Sequence, residues 1–260
     1  MTQDEERQLL AVAHEAAHAA AAELKQRYGG RQSGVRSKSG PTDLVSDADL
    51  AAEKAIRSVL GQRRPDDAIL GEEGGATGAG DLRWVVDPLD GTINYLYEIP
   101  AFAVSVACED ASGTVAGVVL DPIRDEVFAA TRSGEATLNG EPIDAGDRPD
   151  SLEMTMVATG FGYDPVWRAR QAAVVARVLP RVRDIRRVGA AALDLAWNAC
   201  GRVDAFYERG LNVWDVAAGV LVCSRAGLAV REFPASGDDR WGVMTAPPGL
   251  VDDLYELIDS

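Results

Sequence analysis

The chain has 260 residues and is 47% hydrophobic, enough for a large core, and its length admits one large domain or two small ones. A formal net charge of -15 and a pI near 4.6 exclude nucleic-acid or anionic-membrane binding through bulk charge, but leave an anionic substrate open, because bound divalent cations invert the local field. No apolar run reaches the roughly 20 residues that span a bilayer, and the acidic N-terminus lacks the apolar core of a signal peptide.

In chain order, an Ala-rich helix is predicted from Glu5 to about Tyr28, stopped by Gly29-Gly30. Arg31 to Gly40 reads as a mobile loop. A second helix follows from about Ser46 to Leu60, capped by Ser46 or Asp47 and stopped at Gly61. Ala68 to Leu70 is a short strand that leads into Gly71-Glu72-Glu73, after which a Gly- and Ala-rich stretch reads as a flexible lid edge. Trp84 to Val86, Ala101 to Cys108, Thr114 to Leu120 and Glu126 to Ala130 are strands, and the short turns between the last three favour antiparallel neighbours.

The second half alternates strands at Met154–Ala158, 184–188, 203–207, 228–232 and 243–246 with helices at 166–179, 190–200, 214–226 and 249–258. Alternating helix pairs and sheets imply a layered α/β (α+β) sandwich. The boundary near Asp144 to Ser151 is weak, so residues 1–260 read as one domain, with subregions of about 1–145 and 151–260 sharing a core. Cys108, Cys200 and Cys223 include no CxxC pair, and the odd count suits reduced thiols in a cytoplasmic protein.

The most informative stretch is Trp84-Val-Val-Asp-Pro-Leu-Asp-Gly-Thr-Ile-Asn-Tyr95. Pro88 cannot extend a sheet ladder, so the chain is expected to turn there with Asp87 and Asp90 close together. Paired carboxylates repel unless a cation or proton lies between them, and hard cations such as Mg²⁺ favour oxygen ligands. Gly91 and Thr92 offer amides at a helix start, a natural anion site. A surface turn with an Asp cap is the lesser alternative for the two aspartates taken alone.

Further acids stand at element ends: Glu72 and Glu73 after a strand, Asp215 at a helix start, and Asp43, Asp47 and Asp49 before or within a first helical turn. Each alone is explained by capping or solvation. Together they suit a divalent-metal site if the fold brings them together.

These pieces, with Lys38 through Asp49, Val188-Gly-Ala-Ala-Ala192 and Asp204-Ala-Phe-Tyr-Glu208, make the chain resemble the inositol monophosphatase family of Mg²⁺-dependent, Li⁺-sensitive phosphatases. The resemblance implies an αβαβα sandwich of the inositol monophosphatase and fructose-1,6-bisphosphatase type, a cytoplasmic homodimer, and two to three Mg²⁺ per site. Glu72, Asp87 and the Leu89 carbonyl would hold the first ion. Asp87, Asp90 and Asp215 would hold the second, and Glu72 a weaker third. Thr92 with Asp49 would orient the attacking water, because alignment on Lys38 selects Asp49 over Asp47. Amides of Gly91 and Thr92 would grip the phosphate. Glu208, the Gly189-Ala190-Ala191 turn, Asp90 and Asp215 would face the substrate's hydroxyls. Lys38 reads either as a gate to the metal site or as a solvated lysine.

The expected activity is hydrolysis of myo-inositol monophosphate by attack of a metal-activated water, so the implied partner is a small phosphate monoester rather than nucleic acid or membrane. Alternatives are a sugar or nucleotide phosphatase (acting on fructose 1,6-bisphosphate, histidinol phosphate or an adenosine bisphosphate) or a regulatory binding protein on the same fold. Ile93, where relatives that cleave nucleotide or histidinol phosphates often carry Lys, argues mildly against those substrates. His14-Glu-Ala-Ala-His18 matches H-E-x-x-H, but no third His exists in the chain, and an ordinary helix explains it. Arg181, Arg183, Arg186 and Arg187 read as a solvated face or a dimer edge. Met154 and Met156 read as alternating strand residues.

Overall fold

The computed structural model describes residues 1–30, 34–40, 43–144 and 146–260, apart from the side chains of residues 38–40 and 43. Helix α1 (Gln3–Arg27) opens with Thr2 and Glu5 in a reciprocal capping box. The hairpin of β1 (Arg36–Gly40) and β2 (Asp43–Val45) leads to α2 (Asp47–Arg63). Then come β3 (Ala68–Gly71), β4 (Gly75–Thr77), β5 (Arg83–Asp90), α3 (Thr92–Leu96), β6 (Ala103–Asp110), β7 (Gly113–Asp121), β8 (Glu126–Thr131), β9 (Thr137–Leu138) and β10 (Glu141–Pro142). The second half runs β11 (Met156–Thr159), α4 (Pro165–Val178), β12 (Asp184–Arg186), α5 (Ala191–Ala199), β13 (Ala205–Arg209), α6 (Val213–Arg225), β14 (Ala229–Phe233), β15 (Gly242–Ala246) and α7 (Val251–Asp259).

An eight-stranded sheet has the order β10-β9-β8-β7-β6-β5-β3-β4, and a five-stranded sheet the order β12-β11-β13-β15-β14. The alanines of α1 explain how the first layer closes. Ala13, Ala16, Ala17 and Ala20 are fully buried, and these small side chains seat α1 against α2 and the large sheet. Trp84 and Val86 join that core, whereas Val85 between them joins the core under α5 and α6, the alternation of a strand buried on both faces. Helices α5 and α6 lie between the two sheets, and α4 and α7 cover the outer face of the smaller one with Val157, Phe233, Leu254 and Ile258. The layers are therefore α, β, α, β, α, the layered sandwich that the element pattern implied in the order that the resemblance implied.

Several local expectations give way. β5 continues through Pro88 to Asp90, and the missing amide is absorbed where the register with β6 shifts between Asp87 and Asp90. Residues 36–40, expected as loop, pair with β2 across Arg36↔Val45 and Ser37↔Leu44. Gly61 does not end α2, which runs to Arg63; tertiary packing of Ile56 and Leu60 outweighs a glycine's cost of about 1 kcal/mol. The stretch after Glu73 adds β4 to the sheet edge. Met154 lies in a 3₁₀ turn, with only Met156 in the strand. Arg148, in the connecting segment, donates to the Val203 carbonyl at 2.6 Å. Among the described residues no helix is long and apolar enough to cross a membrane.

Candidate active site

The bulge at the end of β5 builds the centre of the site. Once Pro88 interrupts the ladder, the Leu89 amide turns inward and donates to Asp87 Oδ1 at 3.0 Å. Gly91 follows with φ of +91°, a left-handed residue at the start of α3 that L side chains rarely adopt. A Cβ there would meet Ala190 Cβ at 3.1 Å. The turn aims Thr92 back at α2. Its hydroxyl lies 3.0 Å from Asp49 Oδ1 and 3.1 Å from the Leu89 carbonyl, and its single proton favours the carboxylate. Asp49 is held from its other side, with Oδ2 accepting from the Ser46 amide at 2.9 Å and the Ser46 hydroxyl at 2.7 Å. Asp49 is fully buried whereas Asp47 is exposed.

Glu72 reaches the site from β3, which runs parallel to β5 with Gly71 beside Val86. Its turn is anchored from below. Glu53 of α2 accepts from the Glu73 amide at 2.7 Å and the Gly74 amide at 2.9 Å, and from Arg57 Nε at 2.7 Å. A Cβ at Gly71 or Gly74 would stand 2.5 or 2.6 Å from Glu53 Oε1, so a larger residue at either place would push that carboxylate away from the turn.

The remaining acids arrive from the central helices. Asp215 closes a capping box with Asn212, accepting its amide at 2.7 Å, at the start of α6. Helix α5 begins at Ala190, which has no capping side chain, and Asp90 caps it from β5 by accepting the Ala192 amide at 2.7 Å. The Ala191 and Leu193 amides add to the pull of the Ala192 amide on the Asp90 carboxyl. Asn94 fixes the Gly189-Ala190-Ala191 turn by donating to Val188 O at 2.9 Å and Ala101 O at 2.7 Å.

Glu72, Asp87, Leu89, Asp90, Gly91, Thr92, Gly189, Ala190, Ala191, Glu208 and Asp215 line one cavity of about 350 Å³. Asp49 stands behind Thr92. Lys38 lies on β1, but its side chain, like that of Asp43, falls outside the described residues.

Burial of so many carboxylates raises their proton affinity. Asp87 is pushed well above the ordinary carboxylate range, first by burial and then by Glu72, Asp90 and Asp215. Burial moves Asp90 to about 7 against the pull of the α5 amides, and moves Asp215 to about 8 with Asp90 and Glu72 adding to it. Burial likewise raises Glu208, with Asp194 and Asp215 adding and Arg187 opposing. A cation among them supplies the counter-charge that protons otherwise supply. The donor set of carboxylates and one carbonyl is all oxygen, the chemistry that Mg²⁺ takes and a soft metal does not. Among the described residues no three His, Cys, Asp or Glu side chains are gathered closely enough to hold a metal ion as they stand; the acids instead share the cavity wall.

Sequence reasoning missed three contributors. Asp194 is buried on α5 outside the cavity lining, and burial and Asp90 raise it well above the usual range against the pull of Arg187 and of the Val188 and Gly189 amides. Its place three residues past the substrate-side turn was the available signal. Arg187, grouped with a solvated basic run, instead lines the cavity, and Arg240 joins it there. Arg186 does face solvent, paired with Asp184 at 2.5 Å. The His14 and His18 rings stack at 6.4 Å on α1, and Glu15 between them pairs with Arg63 at 2.9 Å.

A family model described as the inositol monophosphatase family matches residues 5–253. The inositol-1-monophosphatase of Mycobacterium bovis is 43% identical over 242 residues, covering 89% of this chain and 83% of its own. A protein named Nus factor SuhB from Xylella fastidiosa is 46% identical over 199 residues, covering 76% of this chain and 72% of its own. The crystal structure of extragenic suppressor protein suhB from Bartonella henselae superposes with a TM-score of 0.89 at 36% identity, covering 97% of this chain and 98% of that one.

Proposed function

The chain belongs to the inositol monophosphatase family, and on that premise we propose that it is a Mg²⁺-dependent phosphomonoesterase that hydrolyses myo-inositol monophosphate to inositol and phosphate. The observation that carries this reading is the convergence of Glu72, Asp87, Asp90 and Asp215 with the Gly91-Thr92 helix start and Glu208 around one cavity. Glu72, Asp87, Asp90, Asp215 and the Leu89 carbonyl are the groups that would hold two to three Mg²⁺. Bound Mg²⁺ acidifies water, neutralises phosphoryl oxygens and stabilises a leaving alkoxide.

The protein's own part is positioning. The Thr92 hydroxyl donates its one hydrogen bond to Asp49, which leaves the lone pairs of the Thr92 oxygen to accept a hydrogen bond from an attacking water and so to orient it. The Gly91 and Thr92 amides, at the α3 start, grip the phosphate. Glu208 and Asp90 accept from the alcohol's hydroxyls. The test is a panel of myo-inositol 1-phosphate, fructose 1,6-bisphosphate and an adenosine bisphosphate with Mg²⁺, with and without Li⁺. Preference for the inositol ester with Li⁺ inhibition supports the reading, and a preference for either other ester replaces its substrate.

The likeness to proteins named Nus factor SuhB favours one second reading, a regulatory binding role on the same fold. Recovery of a stoichiometric protein partner, with no ester hydrolysed, would establish that role instead.

A further inference from the structure

Gly160 sits one residue past β11, and β11 runs parallel to β13 with Thr159 beside Tyr207. Carrying that register one step forward sets Gly160 beside Glu208. A Cβ built on Gly160 would stand 2.0 Å from Glu208 Oε2, 2.3 Å from Cδ and 2.3 Å from Oε1, so its three nearest neighbours all belong to one carboxylate. Its φ lies outside the left-handed region, so an alanine meets no backbone objection. The nearest obstacle is the Glu208 carboxylate, the far end of a flexible side chain.

Glu208 also stands between two cavities. It lines the acid-walled cavity, and it lines a second one of about 290 Å³ whose wall includes Thr159, Trp167, Gln171, Arg177 and Tyr207. A carboxylate pushed off Gly160 has the second cavity to enter.

We propose that Gly160 is the positioning residue for substrate selection: the missing Cβ leaves the space in which the Glu208 carboxylate faces the substrate's hydroxyls. This rests on the phosphomonoesterase reading for its activity test, though not for its structural one. Wild type, Gly160→Ala, Glu208→Ala and the double variant are assayed with Mg²⁺ on myo-inositol 1-phosphate and on phenyl phosphate, which has no hydroxyl to recognise.

The ratio of kcat/KM for the inositol ester over phenyl phosphate is expected to fall about 10- to 100-fold in Gly160→Ala, the range of one charged hydrogen bond. It should fall no further in the double variant than in Glu208→Ala, because the two residues act as a unit. An unchanged ratio in Gly160→Ala, or losses that multiply in the double variant, overturns the proposal. Thermal unfolding guards against simple misfolding. Gly160→Ala should lower Tm when Glu208 is present and leave it unchanged in the Glu208→Ala background, and equal losses in both backgrounds also overturn it. A crystal structure of Gly160→Ala decides the positional claim without turnover. Displacement of the carboxylate toward the second cavity supports it, and a carboxylate still in place overturns it. If wild type hydrolyses neither ester, the phosphomonoesterase reading is what fails.

Discussion

Thr92 and Asp49, 43 residues apart in the chain, meet at 3.0 Å in the buried wall of the acid cavity, hydroxyl to carboxylate. The pair joins the α2 start to the α3 start, so the residues that would orient a water are fixed by two helix termini rather than by a loop. Asp49→Asn keeps one accepting oxygen, enough for Thr92 or for Ser46 but not for both, and loses the charge. We expect kcat to fall by about 10²- to 10⁴-fold, the usual weight of positioned acid–base groups, with KM little changed and Tm lowered, because the amide NH2 faces a buried donor. Steady-state kinetics with Thr92→Ser as the tolerated control checks this.

Glu53 should matter to a site it does not line. It is buried, and it accepts two amides of the Glu72 turn together with Arg57. Glu53→Ala would leave those donors without their shared acceptor, at an expected loss of about 2–4 kcal/mol in urea unfolding. Mg²⁺ needed for half-maximal activity should rise as well, since the turn that carries Glu72 loosens.

Acid stability should carry the signature of Asp110. Arg132 holds its carboxyl down to about 2, with contacts at 2.8 and 2.9 Å. A group whose folded pKa is depressed stabilises the fold above its unfolded pKa, and that stability is lost as pH falls toward the folded value. Wild type should therefore exceed Asp110→Asn by about 1 kcal/mol, small because both partners are partly solvated, at neutral pH. The difference should vanish between about pH 4 and pH 2. A gap that persists at pH 2 in denaturant titrations would sink this assignment.

Thiol reactivity should follow burial. Burial pushes Cys108 and Cys223 up to about 12, while Cys200 is only half-buried. Iodoacetamide at pH 8 should label Cys200 first in the native protein, as peptide mass spectrometry would read. Early labelling of Cys223 would show that α6 opens locally.

Much of this was legible in the chain because local chemistry and tertiary structure agree. Apolar residues on both faces of β5 signal a strand between two helix layers, and the Ala stripe of α1 signals a close helix pair. The acids at element ends were visible as a set, and the matching family motifs ordered them. The rest depended on packing. Pro88 stays in its strand because a bulge absorbs the missing amide, which no local rule shows. Gly61 continues a helix because Ile56 and Leu60 hold it to the core. The polar segment 36–40 pairs because β2 folds back on it. Arg187 enters the cavity wall through the turn before α5, and Asp194 acts on Asp90 and Glu208 from within α5; neither belongs to the motifs that drew attention.

The most direct measurement is release of phosphate from myo-inositol 1-phosphate by the purified protein with Mg²⁺, beside Asp90→Asn, in which the cap of α5 keeps an acceptor but the cavity loses a charge. Release that requires Mg²⁺, stops with chelator, falls with Li⁺ and drops at least about 10²-fold in the variant is the expected result. Wild-type release no greater than that of Asp90→Asn would refute the assignment of these carboxylates to phosphate-ester hydrolysis.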